Sequence, residues 1–426
     1  MTATDDRADA LAVDPEYAHI QFGAVQPMRI EIPDLFQALR QIDDRGGIAR
    51  GWFFDPVPAY ILTRYDDVKA AFLDTATFSP AATQKVFSFP LMGPTFLGYE
   101  GRKHYVHRKV VQPTFSKRTC AEYVDSLLVP QAHAVVDRFC ERGEADLMKD
   151  FAKLYPLAIV GELLGLPVED WDRLARWAND LVLGGDPDGE GLSADQVDAR
   201  RKTSARDFRE WLAPLIDERR GSSADDTLTL LANGLVEGQP LTDEQIMSFM
   251  LLLFPAGVDT TWLSLGTMLV AMLSTVGAVD ELTHKPEMRH WAVEETLRWG
   301  PPVALQPRLT IRDIEVCGTT IPAGSLTMLA IAAANRDPAR FPEPDRWILE
   351  RRPTQHLSFS VGEHFCLGSH LARAELLAAL GVLLERLPGL RLTGSPRFWG
   401  AAVRGPDAVQ VEFEPTAPRK SKRLSR

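Results

Sequence analysis

The segment "LTDEQIMSFMLLLFPAGVDTTWLSLGTMLVAML", Leu241 to Leu273, limits the possible folds more than any other. Thr242 can cap a helix, and Gln245, three residues on, can return to the cap backbone. The residues that follow are apolar on most helical faces, so the helix must be surrounded by other elements. Continued to about Ser274, it holds roughly 30 residues and measures ~45 Å at ~1.5 Å per residue. Its densest apolar run, Phe249 to Val258, is too short to span a bilayer. Such a helix should cross the centre of one large domain, and 426 residues suffice to build that core.

The same helix contains residues that oppose it. Pro255 lacks an N–H and leaves the Leu251 carbonyl without its usual donor. Gly257 costs backbone entropy, and Asp259 brings a carboxylate into an apolar setting. Thr260 can return its hydroxyl to the Ala256 carbonyl one turn back, which bends helices. A distorted turn is expected here, either as a kink in the core or as part of a functional site.

Helical patterns dominate the rest. "IPDLFQALRQIDDRGG" reads as an amphipathic helix stopped by a glycine pair, and "AYILTRYDDVKAAFLD" as a strand entering a helix. Phe78 to Gly101 has three prolines and no period, and reads as a long, partly apolar loop. "GGDPDGEG", Gly184 to Gly191, reads as a mobile connection between helices. After Arg308, alternation with Gly and Pro punctuation predicts short strands and turns. The expected fold is mostly α with minor β, one domain over residues 21–415. A loosely attached segment (1–20) precedes it. A basic tail (416–426), ending in "RKSKRLSR", follows it as a frayed, solvated terminus.

The net charge of −11 argues against nucleic-acid and anionic-membrane partners. Four scattered cysteines form no disulfide framework, and the polar N-terminus lacks signal-peptide regions. A cytoplasmic, soluble protein is the expectation.

Three local features carry candidate chemistry. In "FSVGEHFCLG", Cys366 stands at the mouth of a helix, where backbone N–H groups favour a thiolate. A buried free cysteine is the plainer alternative, and a zinc site with His364 and His370 is another. In "EETLR", Glu295 and Arg298 are spaced to pair on a helix. The third feature is the irregular turn from Ala256 to Thr260.

In their order and intervals these features resemble the cytochrome P450 family. "FSVGEHFCLG" is similar to its haem-binding signature, "AGVDTT" to its oxygen-activating turn, and "EETLR" to its Glu-x-x-Arg pair. "PDRW" is similar to the segment whose arginine joins that pair, and "GRKHYVHRKVVQPTFS" to a helix carrying His-x-x-x-Arg. The resemblance implies a cytochrome P450 fold with the long helix over haem b, iron protoporphyrin IX. Cys366 would be the thiolate ligand of the iron. His104, Arg108, Arg308 and His364 would hold the propionates, and Phe359 and Gly368 would shape the ligand loop. Ala256 and Gly257 would leave room over the iron, and Asp259 and Thr260 would relay protons. Glu295, Arg298 and Arg346 would form a structural network.

Phe87, Phe89, Leu91, Met92, Phe96 and Val303 are candidates for the substrate pocket. The expected activity is insertion of one oxygen atom of O2 into a hydrophobic small molecule, by hydroxylation, epoxidation or dealkylation. A peroxide-driven peroxygenase and a non-catalytic haem protein are the alternatives. The acid–Thr pair at Asp259 and Thr260 argues against both. No flavin fingerprint or iron–sulfur cysteine set is present, so electrons are expected from a separate ferredoxin and its NAD(P)H-dependent reductase. A monomer is expected. Three positions depart from the family pattern: Ser360 where glycine is common, Trp347 for phenylalanine, and Pro255.

Overall fold

A helix from Asp243 to Ser274 runs through the middle of the molecule, and the other elements are arranged around it. The structure, a computed structural model, describes residues 13–419 apart from 26–29, 31, 33–34, 168–170, 179, 182–191 and 354. The glycine-rich connection at 184–191 lies outside the described residues. Helices hold about 53% of the chain, and the strands are few and short, as expected of a mostly α fold.

The helices that position the site are α1 (Leu35–Asp44), α2 (Tyr65–Leu73), α3 (Pro80–Phe87), α4 (Gly101–Val111), α5 (Leu154–Leu164), α6 (Ala194–Arg219), α7 (Asp243–Ser274), α8 (Arg289–Trp299) and α9 (Ser369–Arg386). The main sheet contains β1 (Ile48–Phe54), β2 (Val57–Leu62), β3 (Phe78–Ser79), β4 (Gln306–Thr310) and β5 (Leu326–Leu329). Its spatial order is β1-β2-β5-β4-β3, antiparallel except where β5 lies parallel to β2.

The start of α7 follows its sequence. Thr242 accepts from Gln245 N, and Gln245 Oε1 accepts from Thr242 N, so both halves of the capping box form. The helix is continuous through Pro255. Its composition and length would let it cross a membrane, yet 72% of its most apolar window is buried within the protein, against α5, α6, α8 and α9. Those neighbours are why a helix apolar on most sides is stable here.

Three expectations need correction. Phe78 to Gly101 is not a loop: it folds as β3, α3, a short helix at Phe89–Met92 and a 3-10 turn at Phe96–Gly98. Ser79 caps α3 through its hydroxyl, and Pro80 and Pro90 fall at helix starts, where a missing N–H costs nothing. The N-terminal segment is attached well before residue 21. Tyr17 and Ile20 are buried, and Asp14 both donates to the Arg50 carbonyl and accepts from the Arg50 N–H. At the other end, Arg419 is not frayed. Its backbone N–H donates to Asp137, and its guanidinium reaches His133 and Glu385.

Candidate active site

Residues 359–368 fold into a loop that closes on itself, with the Cys366 N–H donating to the Phe359 carbonyl at 2.9 Å. Ser360 (φ 60°) and Gly362 (φ 81°) both take left-handed backbone. That geometry gives the physical reason a glycine suits position 360, and serine carries the strain instead. A Cβ on Gly362 would come within 3.1 Å of Leu73. The Arg373 guanidinium covers the Phe359 ring at 4.4 Å. This loop delivers Cys366 to a cavity just ahead of α9. Burial pushes the Cys366 thiol up. The N–H groups of Gly368 and Ser369, with the positive charges of Arg108 and Arg373, oppose that shift.

The cavity, about 290 Å³, lies between this loop and the underside of α7. One edge is strongly basic. His104 and Arg108 are i, i+4 on α4 and so share a helical face. The rings of His104 and His364 stack at 4.2 Å, and Arg108 donates to the Phe365 carbonyl at 2.6 Å. Arg308 enters from β4 and is only 4% exposed. Among the described residues its guanidinium makes one hydrogen bond, to the Pro307 carbonyl, and pairs with no carboxylate. Burial lowers its pKa to about 10. His364 is pushed down to about 3, first by burial and then by His104, Arg308 and Arg108. The Nε2 atoms of both His104 and His364 are buried without a partner.

His104, Glu363 and His364 place ligand-type atoms within 4.8 Å of one another, a different trio from the zinc set considered from sequence. Two guanidinium groups beside them oppose a cation and favour an anion. His370, the other zinc candidate, is exposed and outside the cavity.

The opposite wall is the turn of α7 from Ala256 to Thr260, which stays α-helical and is not the distorted turn expected from the sequence. Ala256, Gly257 and Thr260 line the cavity. Three successive hydroxyls fold back onto carbonyls one turn earlier: Thr260 to Ala256 at 3.0 Å, Thr261 to Gly257 at 2.9 Å, and Ser264 to Thr260 at 2.8 Å. A Cβ on Gly257 would meet Val160 at 2.9 Å, so the glycine also lets α5 approach. Asp259 does not line the cavity. It is 2% exposed, accepts from Trp262 Nε1 at 3.2 Å, and keeps Oδ2 without a partner. Burial raises its pKa to about 8.

Of the six pocket candidates, Phe96 and Val303 line the cavity. Phe87 instead packs at a tilt against Phe53, Phe89 rests on Gly98, and Leu91 and Met92 pack into the main core. Val160, Leu252, Leu253, Gln84, Gln306 and Glu375 line it without having been anticipated. Leu252 and Leu253 could have been found, since they lie one turn before Ala256 on the same face. Glu375 could have been found as a lone carboxyl on the apolar face of α9. It is buried with Oε2 unpartnered, and burial raises its pKa well above the usual range. Val160 comes from a distant helix and has no local signal.

Below the cavity, Glu295 and Arg298 form a bidentate pair at 2.7 and 2.8 Å, both fully buried. Arg298 also donates to the carbonyls of Asn335, Pro344 and Arg346. The Arg346 side chain does not join this network. It is 70% exposed and pairs with Glu343, and only its carbonyl takes part. Arg351 fills the place expected of Arg346, donating to Glu295 Oε1 at 3.0 Å. Trp347 donates to the Thr296 hydroxyl.

A family model described as Cytochrome P450 matches residues 196–388. The steroid C26-monooxygenase of Mycolicibacterium smegmatis is 33% identical over 332 residues, covering 76% of this chain and 80% of that protein. The chain belongs to the cytochrome P450 family. It is a P450 monooxygenase, and a haem cofactor goes with the family. The mycinamicin IV hydroxylase/epoxidase of Micromonospora griseorubida is 34% identical, covering 83% of this chain and 89% of that one. The solved structure of the bacillaene polyketide synthase P450 PksS of Bacillus subtilis superposes with a TM-score of 0.81 at 29% identity, covering 89% and 96% of the two chains.

The residues present fit haem. Its two propionates are anions, and the basic edge offers them Arg308, Arg108 and His364, while His104 is buried behind the His364 ring and paired with Glu363 rather than lining the cavity itself. Cys366, on the loop beside Arg108, offers the sulfur.

Proposed function

We propose that this P450 uses haem b to insert one atom of O2 into a hydrophobic small molecule, by hydroxylation, epoxidation or dealkylation. The relatives named for oxidation of steroids and of mycinamicin IV support a bulky, mostly apolar substrate. The observation that carries the reading is Arg308, a buried cation that lines the same cavity as Cys366 and that no carboxylate among the described residues neutralises. A bound haem, ligated by Cys366, would supply O2 activation and oxygen transfer, with electron density donated by the thiolate.

The chain's own residues do the rest. His104, Arg108, Arg308 and His364 orient the propionates. Phe96, Val160, Leu252 and Val303 exclude water and hold apolar substrate. The Thr260 hydroxyl faces the cavity, held by the Ala256 carbonyl, and can pass a proton into it. Asp259, with a pKa of about 8, still holds its proton at pH 7. Delivery requires its carboxyl to turn away from Trp262 toward Thr260. Glu295, Arg298 and Arg351 brace the ligand loop from below.

Electrons come from a separate ferredoxin and its NAD(P)H-dependent reductase. Lys109 and Lys117, exposed on the outer side of α4 and just beyond it, suit an acidic partner near Cys366. The protein works as a soluble cytoplasmic monomer, consistent with the burial of the long apolar helix α7.

The test is spectroscopic first. The reduced protein with CO should absorb at the thiolate-haem position, and Cys366→Ala should lose that band. Turnover of steroid and macrolide panels with NADPH and a surrogate ferredoxin system should then yield oxygenated product. A wild-type spectrum without the thiolate-haem band would overturn the assignment of Cys366.

A further inference from the structure

We infer that the substrate carries a neutral oxygen function, such as a hydroxyl, ketone or ester, held by the side-chain amides of Gln84 and Gln306. The inference rests on the haem-oxygenase reading of the cavity and adds what that reading leaves open. The polar groups lining the cavity fall into distinct sets. Arg108, Arg308 and His364 form the basic edge suited to propionates. The hydroxyls of Thr260, Thr261 and Ser264 are committed to carbonyls of their own helix. Glu375 sits beside Thr261, at the far side of the same turn. The hydroxyls of Ser358 and Ser360 donate to the Leu297 and Val361 carbonyls, so Gln84 and Gln306 remain. Both line the cavity, both are half-buried, and among the described residues neither side-chain amide makes a hydrogen bond.

Their positions are fixed relative to each other. Gln84 follows Thr83 on α3, and the Thr83 hydroxyl accepts from the Leu309 N–H of β4 at 2.7 Å. Just before α3, Phe78 and Ser79 pair with Thr310 and Leu309 of β4. The two elements are therefore joined by the strand ladder and by a side-chain bond. Gln306 and Arg308 are two residues apart on β4, so the pleat points both toward the cavity while Pro307 and Leu309 point away. Two amides thus face one apolar space from elements that cannot drift apart.

An amide covered by hydrocarbon loses its water and gains nothing in return, so such a site discriminates against molecules lacking a matching group. Each amide offers two donors and an acceptor. That combination suits a hydroxyl, which donates and accepts, or a carbonyl, which accepts. It suits a carboxylate poorly, because the amide oxygens would face a negative charge.

The test uses titrations of the haem Soret band on the intact holoenzyme. The probes are dodecanol, methyl decyl ketone, dodecanoic acid and dodecane, with adamantanol and adamantane as a compact pair. The expected result is binding of the alcohol and ketone about tenfold tighter than the parent hydrocarbon, and tighter than the acid. Gln84→Leu and Gln306→Leu should each reduce that preference, and together should abolish it, with hydrocarbon binding unchanged or tighter. A reduced-CO spectrum confirms the haem site in each variant. Where a leucine variant loses it, Gln84→Asn or Gln306→Asn, with a shortened amide, should show the same loss of preference.

Equal binding of alcohol and hydrocarbon by the wild type overturns the inference. So does a preference for the acid, a preference that survives in both variants, or no shift with any probe. Loss of the thiolate-haem spectrum in the wild type is a different failure, since it removes the haem reading itself.

Discussion

Trp262 Nε1 donates to Asp259 Oδ1 at 3.2 Å, and this bond turns the carboxyl away from the cavity that its neighbour Thr260 lines. The two residues are adjacent in sequence but about 100° apart around the helix. The acid and the hydroxyl therefore do not touch in this conformation, and Trp262 is the contact that must break for them to meet.

Asp259 should set a pH dependence of stability. Its carboxyl titrates at 3.8 when free and at about 8 in the folded protein. Between those values the folded chain keeps a proton that the unfolded chain has lost. Its contribution is therefore full below about pH 4 and falls as pH rises to about 8. Asp259→Asn, which keeps an acceptor for Trp262, should melt higher than wild type at pH 8, by at least about 1 kcal/mol. The gap should close toward pH 4. A gap that does not change across this range, followed by thermal melts, would assign the titration to another group.

Thr260 should control coupling rather than binding. Its hydroxyl is the cavity-facing proton carrier of the turn from Ala256 to Thr260, and alanine would leave the Ala256 carbonyl without that bond. Thr260→Ala should bind substrate with little change, while product formed per NADPH consumed falls about tenfold or more, with peroxide released instead. Unchanged coupling would remove Thr260 from the relay.

The two arginines after α8 should separate cleanly. Arg351 is largely buried on Glu295, whereas Arg346 is exposed on Glu343. Arg351→Leu leaves Glu295 with one fewer cation and should cost about 2–3 kcal/mol. Arg346→Leu should cost less than about 0.5 kcal/mol, because exposed pairs contribute little. Chemical denaturation of the two variants measures both. A large loss in Arg346→Leu would restore the arrangement expected from sequence.

That pair also shows where sequence reading stops. The helix from Asp243 to Ser274 was legible because its cap is local and its apolar faces are dense. The back-bond from Thr260 to Ala256 was legible because it spans one turn. "EETLR" was legible as a pair for the same reason. Its third member was not, since two arginines five residues apart in an irregular segment differ only in which one the chain turns inward. The pocket wall was partly hidden for a similar cause. Phe87, Phe89, Leu91 and Met92 are apolar in a segment that does border the site, yet their directions depend on helices seeded by Ser79 and by prolines at N-termini. Val160 depends on α5 packing against Gly257, a contact between residues about a hundred positions apart that no period encodes.

Arg308 should have opposite effects on the empty protein and on haem retention. Its guanidinium is buried without an anion among the described residues, and burial holds its pKa at about 10. In the apoprotein this is an uncompensated charge, so Arg308→Leu should raise apoprotein stability by about 1–3 kcal/mol. With haem present the same guanidinium gains a propionate, and its loss should weaken haem retention about tenfold or more. Arg308→Lys should recover only part of that retention, because an ammonium lacks the planar fork that grips a carboxylate. Thermal melts of the apoprotein and haem transfer to apomyoglobin read the two effects separately. If leucine destabilised the apoprotein and left haem transfer unchanged, Arg308 would be a packing residue and the propionate assignment would pass to Arg108 and the two histidines.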